Sequence, residues 1–170
     1  MKKNKGFTLI ELLVVITIIG ILMSILLPAV GAAFKKAKES RVNTEVRAIE
    51  AAVKAYLQEY GKFPMQTDSN GDKAYLDSYP THKDLISILR GQDIKDKTGK
   101  SVNPKGILFL EVSEKSLGTE GTKAGKFLDP WEEPYYITCD WDFNNIVNTH
   151  TGRNVVVWSE GSGEQIGSWQ

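Results

Sequence analysis

Glu11 stands inside an apolar run, FTLIELLVVITIIGILMSILLPAV, that extends from Phe7 to Val30 with no other charge. An ionised carboxylate in such a run costs about 2.5–3.5 kcal/mol to place in hydrocarbon on insertion scales. Two kinds of chemistry would relieve it. The side chain lies near the start of the run, so it could snorkel toward water. Alternatively, a cut between Gly6 and Phe7 would free an α-amine with a reference pKa of about 7.7–8.0. Phe7 and Glu11 are four residues apart and share one helix face, so the cut would set a cation beside the anion, in the same chain or a neighbouring one.

Other residues invite chemistry less specifically. Asp140, Asp142 and Asn144 have the D-x-D-x-N spacing that opens a calcium loop. The pattern then fails, because Asn145 takes the place of the turn glycine and Thr151 that of the bidentate glutamate. Those three residues remain candidate calcium ligands in what otherwise reads as a turn with solvated acids, and DSNGD (68–72) reads the same way. Cys139 and His150 could be imagined as nucleophile and base, but no third group orients them. Cys139 falls in an apolar strand and is expected as a buried structural thiol. His82, in the first turn of a short helix, is expected in solvent. Trp131, Tyr135, Tyr136, Trp141 and Phe143 cluster in sequence. Alternation sets Tyr135, Ile137, Cys139 and Trp141 on a core face, leaving Tyr136 and Trp131 for a subunit contact. No metalloprotease, P-loop or hydrolase signature occurs, so no enzyme is expected.

The elements follow from periodicity. The apolar run is roughly 36 Å long as a helix, enough to cross a bilayer. It is too long for a signal-peptide core, and no small-residue cleavage site follows it. Pro28 lacks a backbone donor and crowds the Ser24 carbonyl, which predicts a kink or loosening there. Beyond the run, Val42, Val46, Ile49, Val53, Tyr56 and Tyr60 recur at steps of four and three, with charges of both signs between them. One helix is therefore predicted over residues 7–60, greasy all round over 7–30 and amphipathic afterwards, ended by Gly61 and Pro64.

Residues 61–170 hold 12 of the 15 glycines and five of the six prolines. That composition predicts a turn-rich domain of short strands covering the stripe. A short helix is expected in PTHKDLISILRG, capped by Thr81 with Asp84 three residues on and stopped by Gly91. Strands are expected over 105–112, 134–141, 145–149 and 154–159. The fold class is α+β: a long N-terminal helix packed on a small, mainly antiparallel sheet.

The stretch K-G-F-T-L-I-E, from Lys5 to Glu11, ahead of a long apolar helix resembles the processing motif of type IV pilins and type II secretion pseudopilins. The resemblance implies a pilin-like fold and three segments: a leader over 1–6, an extended helix over 7–60 whose first part (7–30) is the transmembrane and filament core, and a periplasmic domain over 61–170. It implies that a prepilin peptidase cuts after Gly6 and methylates Phe7. It gives Glu11 the role of the assembly carboxylate that meets a neighbouring subunit's amine, and Pro28 that of the helix-loosening proline. The partners implied are that peptidase, other copies and minor pseudopilins in a helical filament, and an inner-membrane assembly platform. The chain would be a single-pass inner-membrane protein before assembly, then part of a periplasmic filament, or of a surface pilus.

Cys139 is the only cysteine, so no intrachain disulfide forms. Many surface pilins have such a bond, and major pseudopilins usually lack it. The tract LDPWEEPYYI (128–137) is also similar to one in major pseudopilins. Those proteins carry a calcium site in an aspartate-rich C-terminal loop, where this chain has SEGSGEQ (159–165), so no cofactor is expected there. The reading is therefore a structural subunit of a secretion pseudopilus. The alternatives are a pilus subunit for adhesion, motility or DNA uptake, and a membrane-anchored binding module using the aromatic tract. Twenty-one basic and 21 acidic residues balance, and losing Lys2, Lys3 and Lys5 leaves 18 against 21; nothing draws the chain to nucleic acid.

Intact-mass measurement of the membrane-extracted protein is expected to show loss of residues 1–6 and gain of one methyl group. A mature chain beginning at Met1 or beyond Val30 would contradict the processing.

Overall fold

The computed structural model describes residues 7–76 and 81–170; the leader segment, with Gly6, lies outside the described residues. The chain divides into two units, one ending at Lys38 and one running from Glu39 to Gln170. Helix α1 (Leu9–Tyr60, 52 residues) belongs to both.

In the first unit the helix is apolar on every side and all its large side chains are exposed, from Phe7 at 76% to Val30 at 41%. Among the described residues it is the one helix long and apolar enough to cross a membrane. The backbone stays helical through Pro28. Pro28 has no N–H to give the Ser24 carbonyl, and the Ser24 hydroxyl is engaged with Ile21 O at 2.7 Å.

In the second unit the predicted stripe is the core. Val42, Val46, Ile49, Val53 and Tyr56 are fully buried, and Tyr60 donates its hydroxyl to Asn103 Oδ1 at 2.6 Å. The polar face of the same stretch ties down loops. Arg41 pairs with Glu45 at 2.9 Å and reaches Ser116 Oγ at 3.0 Å. Glu45 also accepts the Tyr135 hydroxyl, whose pKa is raised by burial and then by that carboxylate. Glu50 takes Lys54 at 2.6 Å and Arg153 at 3.3 Å, while Arg47 donates to Gln170 O at 3.1 Å.

The cover is a four-stranded antiparallel sheet in the order β1 (Asp72–Ala74), β2 (Tyr136–Asp140), β5 (Val155–Ser159), β6 (Ile166–Gly167). Ile137 pairs with Val157 and Cys139 with Val155, so these four side chains share one face, and all are buried. Helix α2 (His82–Leu89) adds Leu85, Ile88 and Leu89. Thr81 caps it by accepting from Asp84 N at 3.1 Å, as the sequence predicts.

Two strand expectations change. Residues 105–112 form no strand. Leu110 and Val112 are buried, but the segment lies against the end of α2, where Leu89 O accepts from both Phe109 N (2.8 Å) and Leu110 N (2.9 Å). The Asn103 side chain takes Ile107 N and gives to Ile107 O. Local groups satisfy this backbone, so no ladder is needed. The expected strand over 145–149 is instead a hairpin of β3 (Ile146–Val147) and β4 (His150–Thr151). Asn148, at φ +53°, turns the chain there, a conformation asparagine tolerates better than most residues.

A chain lacking residues 1–34 is expected to be a soluble monomer, since the stripe is covered within the second unit. Ile49→Ala in that chain should lose about 2–5 kcal/mol of stability by denaturant titration. Aggregation of the truncated chain would mean that neighbouring subunits cover the stripe.

Candidate functional site

The first turn of α1 is built around Thr8 and Glu11. Thr8 precedes the first helical residue and Glu11 occupies the third helical position, which makes them a reciprocal capping pair. The Thr8 amide and hydroxyl donate to Glu11 Oε2 at 2.8 and 2.7 Å, and the Glu11 amide donates back to Thr8 Oγ1 at 3.3 Å. The carboxylate thus has a partner within its own chain. The T-x-x-E spacing of Thr8 and Glu11 is the signal of this cap in the sequence. Both side-chain bonds use Oε2, and Oε1 accepts none among the described residues. Phe7, Ile10, Val14 and Val15 surround the carboxylate with exposed hydrocarbon. One oxygen is fixed by the cap and the other is open, so the group is preorganised to accept a charge-assisted bond.

The acidic turn brings together a different set from D-x-D-x-N. Carboxylate oxygens of Asp72, Asp140 and Asp142 lie within 4.8 Å of one another. Asp72 comes from the DSNGD stretch, placed there by the β1–β2 register, in which it pairs with Asp140. Nothing in local spacing could have announced a residue that far away in sequence. Asn144 does not turn an oxygen to the group: its Nδ2 donates to Asp142 Oδ2 at 3.0 Å, and its Oδ1 accepts from Ile146 N at 2.7 Å. Asp140 accepts the amides of Asn145 at 2.7 Å and Asn144 at 3.2 Å. The residues that could hold a cation are therefore the three aspartates, and with one oxygen from each a calcium ion would need further ligands to reach six to eight. In the C-terminal stretch, Glu160 Oε1 is taken by Trp158 Nε1 at 3.1 Å and Gln165 Nε2 at 2.8 Å.

Cys139 is wholly buried on the core face of β2 and its thiol pKa is pushed up by burial, the opposite of what a nucleophile needs. His82 is buried at 2% exposure, not solvated. Its position follows from α2 packing closely: its amide donates to Leu76 O at 2.8 Å, and the ring lines a small cavity with Tyr75, Tyr135 and Tyr136. Tyr135 and Trp141 are core, as alternation predicts. Trp131 packs on the core edge within the D-P-W tract. Asp129 organises that tract, accepting Trp131 N at 2.8 Å, Glu133 N at 2.9 Å and Ser159 Oγ at 2.5 Å. A Cβ on Gly161 would fall 2.4 Å from its Oδ2. Tyr136 stacks on Trp158, with ring centres 5.2 Å apart.

Comparison with known proteins gives three kinds of result. Residues 1–27 match the family model described as the prokaryotic N-terminal methylation motif. The chain is similar to fimbrial protein Q of Moraxella bovis, 36% identical over 126 residues that cover 74% of each chain. It is similar to a fimbrial protein of Pseudomonas aeruginosa, 33% identical over 79% of this chain and 95% of that one. It is also similar to the type II secretion system core protein G of Vibrio cholerae, 28% identical over 99% of this chain and 94% of the relative. No solved structure matches.

The pKa of Asp140 is raised by burial first and by the neighbouring Asp142 second, with the two amides opposing. A carboxyl whose folded pKa lies above its unfolded one favours the fold at low pH, and the advantage is lost as pH rises through the folded value. Asp142→Asn should therefore raise stability at neutral pH, by no more than about 0.5 kcal/mol, with the gain vanishing below the carboxylate range in thermal unfolding. A loss at neutral pH would mean that the Asp142 bonds to Asn144 outweigh the repulsion.

Proposed function

Because the chain belongs to the type IV pilin and pseudopilin family, we propose that it is the filament subunit of a type II secretion-like pseudopilus, joined to its neighbours through Glu11. The observation that carries the joining is the half-used carboxylate on a helix that is exposed and apolar all round. After removal of residues 1–6 by a prepilin peptidase, Phe7 carries a methylated α-amine. The subunit waits in the inner membrane with its second unit in the periplasm, and an assembly platform lifts it out. The greasy half of α1 then packs among neighbouring helices, where apolar burial contributes roughly 25 cal/mol per Å². Contacts of head-to-tail type that do not close generate a filament.

Apolar packing alone does not select one register along so uniform a helix. A buried amine–carboxylate pair does, because every other register leaves a charge unpaired, at about 3–5 kcal/mol. Glu11 Oε2 stays on Thr8, and Oε1 receives the neighbour's Phe7 amine. Pro28 is the weak point at which the helix can extend as it packs. Secretion rather than a surface pilus is supported by the match to a type II secretion protein along nearly the whole chain and by the lack of a second cysteine. The rival reading, a surface pilus subunit, has the higher identity to fimbrial proteins in its favour. Neighbouring genes for a secretin and secreted cargo, rather than a retraction motor, would decide for secretion.

Glu11→Gln isolates the charge, since glutamine still serves the capping pair. The variant should be inserted, cleaved and anchored, because losing a charge eases insertion. Filament yield should fall sharply, and the variant should enter wild-type filaments poorly on coexpression. Assembly equal to wild type would mean that Glu11 is a boundary residue snorkelling to water.

A further inference from the structure

The outward face of the sheet carries a row of four rings that neither the core nor the assembly site uses. Tyr136 pairs across strands with Trp158, and Trp158 with Gly167. A side chain at Gly167 would therefore share the face of Trp158. That space is filled by Trp169, whose ring atoms lie 2.2–2.4 Å from where a Gly167 Cβ would be. The glycine thus lets an indole fold back onto the sheet. Ring centres of Trp158 and Trp169 are 6.3 Å apart at 55°, and His150 closes the row 4.4 Å beyond Trp169.

Trp158, Trp169, His150, Asn148, Thr149 and Gln165 line a cleft of about 210 Å³. Its chemistry is restrictive. No charged side chain lines it, so neither an anion nor a cation finds a counter-charge. The polar groups are amides, a hydroxyl and an imidazole, and the solvent-shielded His150 Nδ1 has no hydrogen-bond partner among the described residues. A purely apolar guest would cover the Asn148 and Gln165 amides and the Thr149 hydroxyl without giving them partners. Trp158 and Gln165 are held in place, since Glu160 takes both Trp158 Nε1 and Gln165 Nε2.

We propose that this cleft binds one ring of a neutral saccharide. A sugar ring has apolar C–H faces to lie on the indoles and hydroxyls that donate or accept around its edge, which matches both halves of the lining. The volume is below that of a drug-sized pocket and suits a single terminal residue. The amides of Asn148 and Gln165 and the Thr149 hydroxyl read the ring's edge.

The test uses the full chain in a detergent without a sugar headgroup. It is titrated with the methyl glycosides of glucose, galactose and N-acetylglucosamine while tryptophan emission and saturation-transfer NMR of the sugar are followed. Saturable binding of at least one glycoside at millimolar Kd is expected, lost in Trp169→Ala and weakened roughly tenfold in Gln165→Ala. Trp131→Phe, outside the cleft, should bind as wild type. If Trp169→Ala fails to fold, Gln165→Ala, whose side chain is exposed, decides alone. No saturable response to any of the three sugars overturns the proposal, as does binding unchanged in the folded cleft variants. So does a shift of Trp158 and Trp169 emission on filament assembly with no response to sugar, which would make the row a subunit contact.

Discussion

A carboxylate cannot leave water for hydrocarbon without a partner, and this constraint on Glu11 orders the first unit of the protein. The cap from Thr8 satisfies one oxygen and fixes the side chain at the helix start. It cannot neutralise the charge, because a threonine amide and hydroxyl bring none. The remaining requirement is a cation at the other oxygen, and in a helix without Lys or Arg from Phe7 to Phe34 that cation must come from outside the span. The cation we propose is the processed N-terminus of a neighbour. Exposed hydrocarbon provides most of the attraction between subunits in this account, and the one ion pair provides the register.

The second unit obeys the opposite rule. Its stretch of α1 buries Val42, Val46, Ile49, Val53 and Tyr56 and uses its charges to hold the rest of the unit: Arg41 reaches Ser116, Glu45 takes Tyr135, Arg47 reaches Gln170 and Glu50 takes Arg153. A stable, self-covered domain on a helix that cannot be covered alone is a workable design for a subunit that waits singly and functions in an array. It also leaves the aromatic row of the outer sheet face outside the main core.

The helix, its two characters, the short α2 and the core face of β2 were legible in the sequence because each depends on periodicity over adjacent residues. What was not legible depended on distant or reciprocal contacts. Asp72 joins Asp140 and Asp142 through strand register alone. The strand-like composition of 105–112 reflects burial of Leu110 and Val112 beside α2, which selects the same residue types as a sheet does. His82 looked polar and therefore solvated, whereas α2 packs tightly enough to bury it. The Thr8–Glu11 cap was readable from spacing and was overshadowed by the charge itself. Trp158 and Trp169 were hidden as a pair, since Gly167 makes room for the ring only once β5 and β6 are aligned.

The most direct measurement is a high-resolution cryo-electron microscopy reconstruction of the assembled filament, read at the first turn of the helix. The account predicts Glu11 Oε1 within about 4 Å of a neighbouring subunit's Phe7 nitrogen, with Oε2 still on Thr8. A Phe7 nitrogen left in solvent, or a Glu11 carboxylate bonded only to Thr8 in the fibre, would contradict it.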